Sequence, residues 1–199
     1  MKKEIIALIG LGYWGTIVAN ALVGLKIFKK IYICDNDLEK VKILKRKFKK
    51  KVFVISFNEI IKNKDIKNIF LATPPNDNLN ILNILIKAKK NILIEKPGLI
   101  KLKNYKIIKK LIKKNKSKLS FGYIYIYNLY IRLIKKIILS KKLGKIKYIN
   151  LQRQNFGPVR NKIPAAYDLA THDISILHYL FRNKIKLIKT INHDILNKG

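Results

Sequence analysis

Cysteine occurs once, at Cys34. A lone thiol cannot build an intrachain disulfide framework or a cysteine-based zinc site, so a reducing compartment, the cytoplasm, is expected. Proline stands at five positions and glycine at nine of 199, too few for a fibrous repeat or a low-complexity linker, and no internal repeat is visible. No apolar run reaches the roughly 18 residues of a membrane span, because Asn128 and Arg132 interrupt the best candidate, Phe121 to Ile134. Met1-Lys2-Lys3 is followed at once by Glu4 and only a short apolar run, Ile5 to Ile9, which is no signal-peptide core. Hydrophobic residues still make up 49% of the chain, enough to bury a globular core.

Acidic side chains are scarce as well, 11 against 44 basic ones, for a formal charge of +33. Such an excess points to nucleic acid or an anionic membrane when it is gathered on one surface. Here it is spread: residues 1–100 hold 20 of the basic groups and residues 101–199 the other 24. Only Arg46, Arg132, Arg153, Arg160 and Arg182 are arginine, the residue that base-edge readout favours. The lysines read as solvated faces, with neither a specific nucleic acid nor a membrane as partner.

Short, continuously apolar runs alternate with helical patterns along the first 121 residues. The strands are expected at Glu4 to Ile9, Ile31 to Cys34, Val52 to Ile55, Asn68 to Ala72, Asn91 to Ile94 and Lys118 to Phe121, as in a parallel sheet buried on both faces. Ser56-Phe57-Asn58-Glu59 is a capping-box pattern. An apolar stripe through Ile17, Val18, Ala21, Leu22 and Leu25 predicts the first helix, and one through Leu102, Tyr105, Ile108, Leu111 and Ile112 predicts a helix covering the sheet. After a boundary near Gly122, Asn128 to Ser140 reads as helix, Ile146 to Gln154 as an alternating strand, Asp168 to Leu180 as helix and Ile185 to Ile191 as a strand.

Three groups of residues carry chemistry. Gly10-Leu11-Gly12-Tyr13-Trp14-Gly15 follows the first strand and opens the first helix; chance would put G-x-G-x-x-G anywhere in a chain of this composition only about 0.02 times, and far less often in that placement. Gly10 permits the tight turn, Gly12 lets a pyrophosphate approach the backbone, and Gly15 lets helix and strand pack closely. Asp35 closes the second strand 20 residues after Gly15, where a carboxylate accepts from ribose hydroxyls and repels a 2′-phosphate, so NAD is expected over NADP. Glu95-Lys96-Pro97 stands at the carboxyl end of a predicted parallel strand, the edge where such sheets bind ligands. Asp168 and His172 are four apart and share a helical face, so the carboxylate can orient the imidazole. His178 and His193 lack such company, and no metal-ligand set can be assembled.

Together these motifs resemble the family of NAD(P)-dependent sugar oxidoreductases that includes glucose-fructose oxidoreductase and inositol dehydrogenase. The resemblance implies an α/β fold: a Rossmann doubly wound parallel sheet over residues 1–121, followed by a truncated α/β substrate domain over residues 122–199. It implies that Gly10, Gly12, Tyr13, Trp14, Gly15, Asp35, Thr73, Pro74, Asn76, Glu95 and Lys96 contact the cofactor. Lys96, Asp168 and His172 would be catalytic, and Lys96, Arg153, Asn155 and His172 would contact substrate. Tyr13-Trp14-Gly15, Tyr127-Asn128, Leu143-Gly144-Lys145-Ile146, Arg153 to Gly157 and Asp168 to Leu177 are similar to the branch acting on nucleotide-linked N-acetylated sugars or their uronic acids. Tyr123, Leu129 and Thr171 replace a histidine and two prolines common there. Family members extend past the position of Gly199 to complete a sheet that usually forms the oligomer interface. The implied function is oxidation of a ring hydroxyl on such a sugar by a homo-oligomeric enzyme. A non-catalytic dinucleotide-binding remnant is the alternative.

Overall fold

The protein is described from a computed structural model covering residues 4–153, 166–182, 186, 188, 189 and 191. It divides into two compact units, Met1–Gly122 and Tyr123–Gly199.

The first unit alternates strand and helix. Its strands are β1 (Glu4–Ile9), β2 (Phe28–Cys34), β3 (Val52–Val54), β4 (Asn68–Leu71), β5 (Asn91–Ile94) and β6 (Leu119–Phe121). Between them run α1 (Tyr13–Gly24), α2 (Leu38–Phe48), α3 (Phe57–Lys62), α4 (Asn78–Lys87) and α5 (Leu102–Asn115). All six strands are parallel, in the order β3-β2-β1-β4-β5-β6. That is the doubly wound Rossmann order, with its reversal between β1 and β4.

Side chains alternate across β1, so Ile6 and Leu8 serve one face and Ala7 and Ile9 the other. The first pair joins Val18, Ala19 and Leu22 of α1 and Val41 and Leu44 of α2. The second pair joins Leu82, Leu85 and Ile86 of α4 and Ile108 of α5. Both faces are therefore covered, which is why the strands read as unbroken apolar runs.

Local signals hold where their hydrogen bonds form. Asp37 caps α2 by accepting from the backbone of Glu39 and Lys40. Ser56 and Glu59 close a capping box on α3, with Glu59 N donating to Ser56 Oγ at 3.2 Å and Ser56 N to Glu59 Oε2 at 2.9 Å. The face of α1 differs from expectation: Gly15, Val18, Ala19 and Leu22 are buried, whereas Ile17 and Leu25 are exposed. The small residues Gly15 and Ala19 let the helix lie close to the sheet, and this turns the bulkier Ile17 outward.

The second unit contains a 3-10 turn (Ile124–Tyr127), α6 (Leu129–Leu139), a π turn (Ala166–Ala170) and α7 (Thr171–Phe181). Asn128 caps α6, accepting from Tyr130 N at 2.9 Å. The strand expected at Ile146 to Gln154 does not form: residues 146–153 carry no regular structure, and Gln154 lies outside the described residues. Nor are Lys186, Ile188, Lys189 and Ile191 in a strand. Alternation alone does not make a strand; a ladder partner must supply the hydrogen bonds, and none runs beside 146–153 among the described residues. Among those residues no helix is long and apolar enough to cross a membrane.

Candidate active site

The chain leaves β1 at Ile9 and turns through Gly10, Leu11 and Gly12 into α1. Gly10 has φ of +94°, and a Cβ there would stand 2.7 Å from the Ala72 carbonyl oxygen. The loops after β1 and β4 thus touch at the point where strand order reverses, and only glycine fits both conformation and space. A Cβ at Gly15 would collide with the Gly10 carbonyl oxygen. Gly12 is different. Its φ is an ordinary −64°, and a Cβ would meet nothing within 4 Å. The protein itself makes no use of its missing side chain; what the glycine preserves is open space above the start of α1. That end has no side-chain cap and no acidic residue in its first turn, leaving N–H groups and the helix dipole to an anion.

Asp35 reaches this turn from the end of β2. Its Oδ2 accepts from Leu11 N at 2.5 Å and its Oδ1 from Asp37 N at 2.8 Å. The carboxylate is thereby clamped beside the glycines, with lone pairs left for ribose hydroxyls. A pyrophosphate cradle next to a fixed carboxylate fits a dinucleotide with an unphosphorylated ribose.

The loops after β4 and β5 are joined by a buried asparagine. Asn78, 1% exposed, faces Thr73 Oγ1 through its own Oδ1 at 2.5 Å and donates through Nδ2 to the Gly98 carbonyl at 2.7 Å. Tyr105 of α5 donates its hydroxyl to the Pro97 carbonyl at 2.5 Å. Lys96 is therefore set in a segment tied to α4 and α5. Glu95 accepts from the Trp14 indole and the Lys96 backbone, yet burial pushes its carboxyl above the ordinary glutamate pKa. A Cβ on Gly122 would stand 3.1 Å from Glu95 Oε1. Of the other cofactor candidates, Tyr13, Pro74 and Asn76 are exposed at the same sheet edge.

In the second unit His172 is buried in the first turn of α7. Its ring packs edge-on against Tyr125, with centroids 4.8 Å apart and planes at 74°. Asp168 lies not on α7 but in the preceding π turn. Arg153 Nε donates to both oxygens of Asp173 at 2.9 Å. Asn155 lies outside the described residues.

A match to the GFO/IDH/MocA oxidoreductase family, described as having an NAD-binding Rossmann fold, spans residues 5–123. The chain belongs to this family. Solved structures share its fold. A proposed myo-inositol dehydrogenase from Sinorhizobium meliloti 1021 has a TM-score of 0.79 at 18% identity, covering 91% of this chain and 56% of that one. Scyllo-inositol dehydrogenase from Lactobacillus casei, solved with NAD(H) and scyllo-inositol, has a TM-score of 0.74 at 17% identity, covering 90% and 56%. GenD2 from gentamicin A biosynthesis, solved with NAD, has a TM-score of 0.76 at 17% identity, covering 90% and 54%. The chain spans just over half the length of these proteins. No curated protein matches it.

Within the GFO/IDH/MocA match fall the glycine turn, Asp35, Thr73 to Asn76 and Glu95 to Pro97, whereas Asp168 and His172 lie beyond it. Sequence reasoning missed Asn78, Tyr105 and Tyr125. Asn78 left one trace, a polar residue on the otherwise apolar face of α4 shared by Leu82, Leu85 and Ile86. Tyr105 was visible only as part of an apolar stripe.

Proposed function

We propose that this chain carries the cofactor-binding and proton-handling residues of an NAD-dependent dehydrogenase that oxidises a ring hydroxyl of a sugar, one linked to a nucleotide and N-acetylated or oxidised to the uronate. Gly10, Gly12 and Gly15 with the start of α1 hold the pyrophosphate. Asp35 holds the adenosine ribose, and Tyr13, Trp14, Thr73, Pro74, Asn76 and Glu95 line the remainder. NAD, when bound, supplies the hydride acceptor. Oxidising an alcohol also requires a base for the hydroxyl proton, a task that suits a neutral imidazole, here that of His172. Asp168 orients that ring, and Lys96 hydrogen-bonds the reacting oxygen and stabilises its developing negative charge. What carries this reading is the position of Lys96, at the carboxyl end of β5 in a segment anchored by Asn78 and Tyr105.

Turnover with NAD is the test, using UDP-N-acetylglucosamine, its uronate and scyllo-inositol in turn. The expected result is NADH formation with a UDP-sugar that falls at least tenfold in His172→Ala and in Lys96→Ala, while NAD affinity stays within a few-fold. A smaller loss in His172→Ala removes it as the base. The sparse burial among the described residues of the second unit favours one other reading, a non-catalytic dinucleotide-binding protein. Tight NAD binding without turnover of any of the three sugars would establish that reading instead.

A further inference from the structure

The second unit holds a polar cluster that the proposed proton handling leaves unused. Arg153 grips Asp173 through two 2.9 Å contacts from Nε. Its guanidinium carbon lies 4.8 Å from the Tyr125 ring centroid, and Nη1 reaches the Tyr125 hydroxyl at 3.5 Å. Tyr125 is the ring against which His172 packs, and Asp173 is the residue that follows His172 on α7. Both side chains of the ion pair are about three-quarters shielded from water, so the pair is screened less than a surface pair. Asp173 in turn holds the guanidinium firmly protonated. The chain uses lysine for 39 of its 44 basic residues, yet here it has arginine, the cation whose planar group can stack on a ring while donating to a carboxylate.

We propose that Arg153 is a positioning residue: by clamping Tyr125 and Asp173 it sets the orientation of the His172 imidazole, and it does not contact substrate. Its catalytic consequence rests on the reading of His172 as the base. The geometric claim does not.

The full chain with isotope-labelled histidine separates the two by nuclear magnetic resonance, with His172 assigned by the signal lost in His172→Gln. Arg153→Gln and Arg153→Lys are each expected to shift the His172 ring resonances, through the altered ring current of Tyr125, and to leave those of His178 in place. Unchanged His172 resonances in Arg153→Gln would overturn the proposal. If circular dichroism shows that Arg153→Gln has lost helix, Arg153→Lys, which keeps a cation beside Asp173 but loses the planar group that stacks on Tyr125, makes the same comparison. It must then shift His172, and no shift would again overturn the proposal.

Where turnover is measured on UDP-N-acetylglucosamine, Arg153→Gln should lower kcat about tenfold or more with KM nearly unchanged, as misorientation does. A raised KM at unchanged kcat would mark Arg153 as a substrate contact and refute the positioning role. Failure of the base reading shows separately, as undiminished turnover in His172→Gln.

Discussion

Residues 4–122 and residues 123–182 use the same isoleucine- and lysine-rich vocabulary and bury it very differently. In the first unit every helix has a sheet face to lie on, and nearly all the buried apolar side chains among the described residues sit there. In the second, only His172 and Ile176 are buried among the described residues. Helix α6 carries a strong apolar stripe, yet Leu129 is 78% exposed and Leu133 53%. An amphipathic pattern states that a helix has a face to bury; whether it is buried depends on a partner layer, which in the first unit is the sheet.

That contrast predicts unequal costs for similar truncations. Leu82→Ala, in the centre of the first core, should cost about 2–5 kcal/mol. Leu133→Ala in α6 should stay within about 0.5 kcal/mol. Urea titration followed by circular dichroism measures both, and equal losses would erase the distinction.

The glycine turn sharpens the same point within the first unit. Gly10→Ala forces a side chain into a left-handed conformation and against Ala72, at a cost of about 1–3 kcal/mol. Gly12→Ala meets nothing in the protein, so it should leave the unfolding midpoint unchanged while weakening NAD at least several-fold by calorimetry. A stable Gly10→Ala, or a Gly12→Ala with full affinity, would contradict these assignments. Asp35→Ala should have a smaller effect, weakening NAD by about 1 kcal/mol, the net scale of one ordinary hydrogen bond. NADP should lose less, since the carboxylate no longer repels its 2′-phosphate.

The smallest expected effect is a pH slope. Burial raises the Glu95 carboxyl above its ordinary 4.5, so between that value and the raised one the folded state keeps a proton that the unfolded chain has released. Stability contributed by this group therefore falls as pH rises through that window and is level above it. Glu95→Gln should flatten that part of the wild-type profile, and an unchanged slope would show that Glu95 does not titrate abnormally.

Much of the first unit was legible in the sequence because its signals are local. Short apolar runs bounded by turn residues marked the strands, and Ser56 and Glu59 bond within four residues of each other. Strand ends were less legible: β2 begins at Phe28 and includes Lys29 and Lys30, whose charge hid a segment that only pairing with β1 makes a strand. The glycine turn could be read because Gly10 and Gly15 answer backbone demands that no other residue meets. Asn78 to Gly98 and Arg153 to Tyr125 are contacts between positions 20 and 28 apart, and no spacing rule reports them. The strand expected at Ile146 to Gln154 failed for a related reason, since its pattern carried no information about a neighbour.

Amide hydrogen exchange on the full chain, with and without NAD, tests the account most directly. Without NAD, β1, β4 and β5 should be the slowest-exchanging segments and α6 and α7 much faster, because opening free energy follows local burial. Adding NAD should slow exchange at residues 10–16, near Asp35 and at residues 72–78. Equal protection of both units without NAD, or added protection that leaves residues 10–16 untouched, would contradict it.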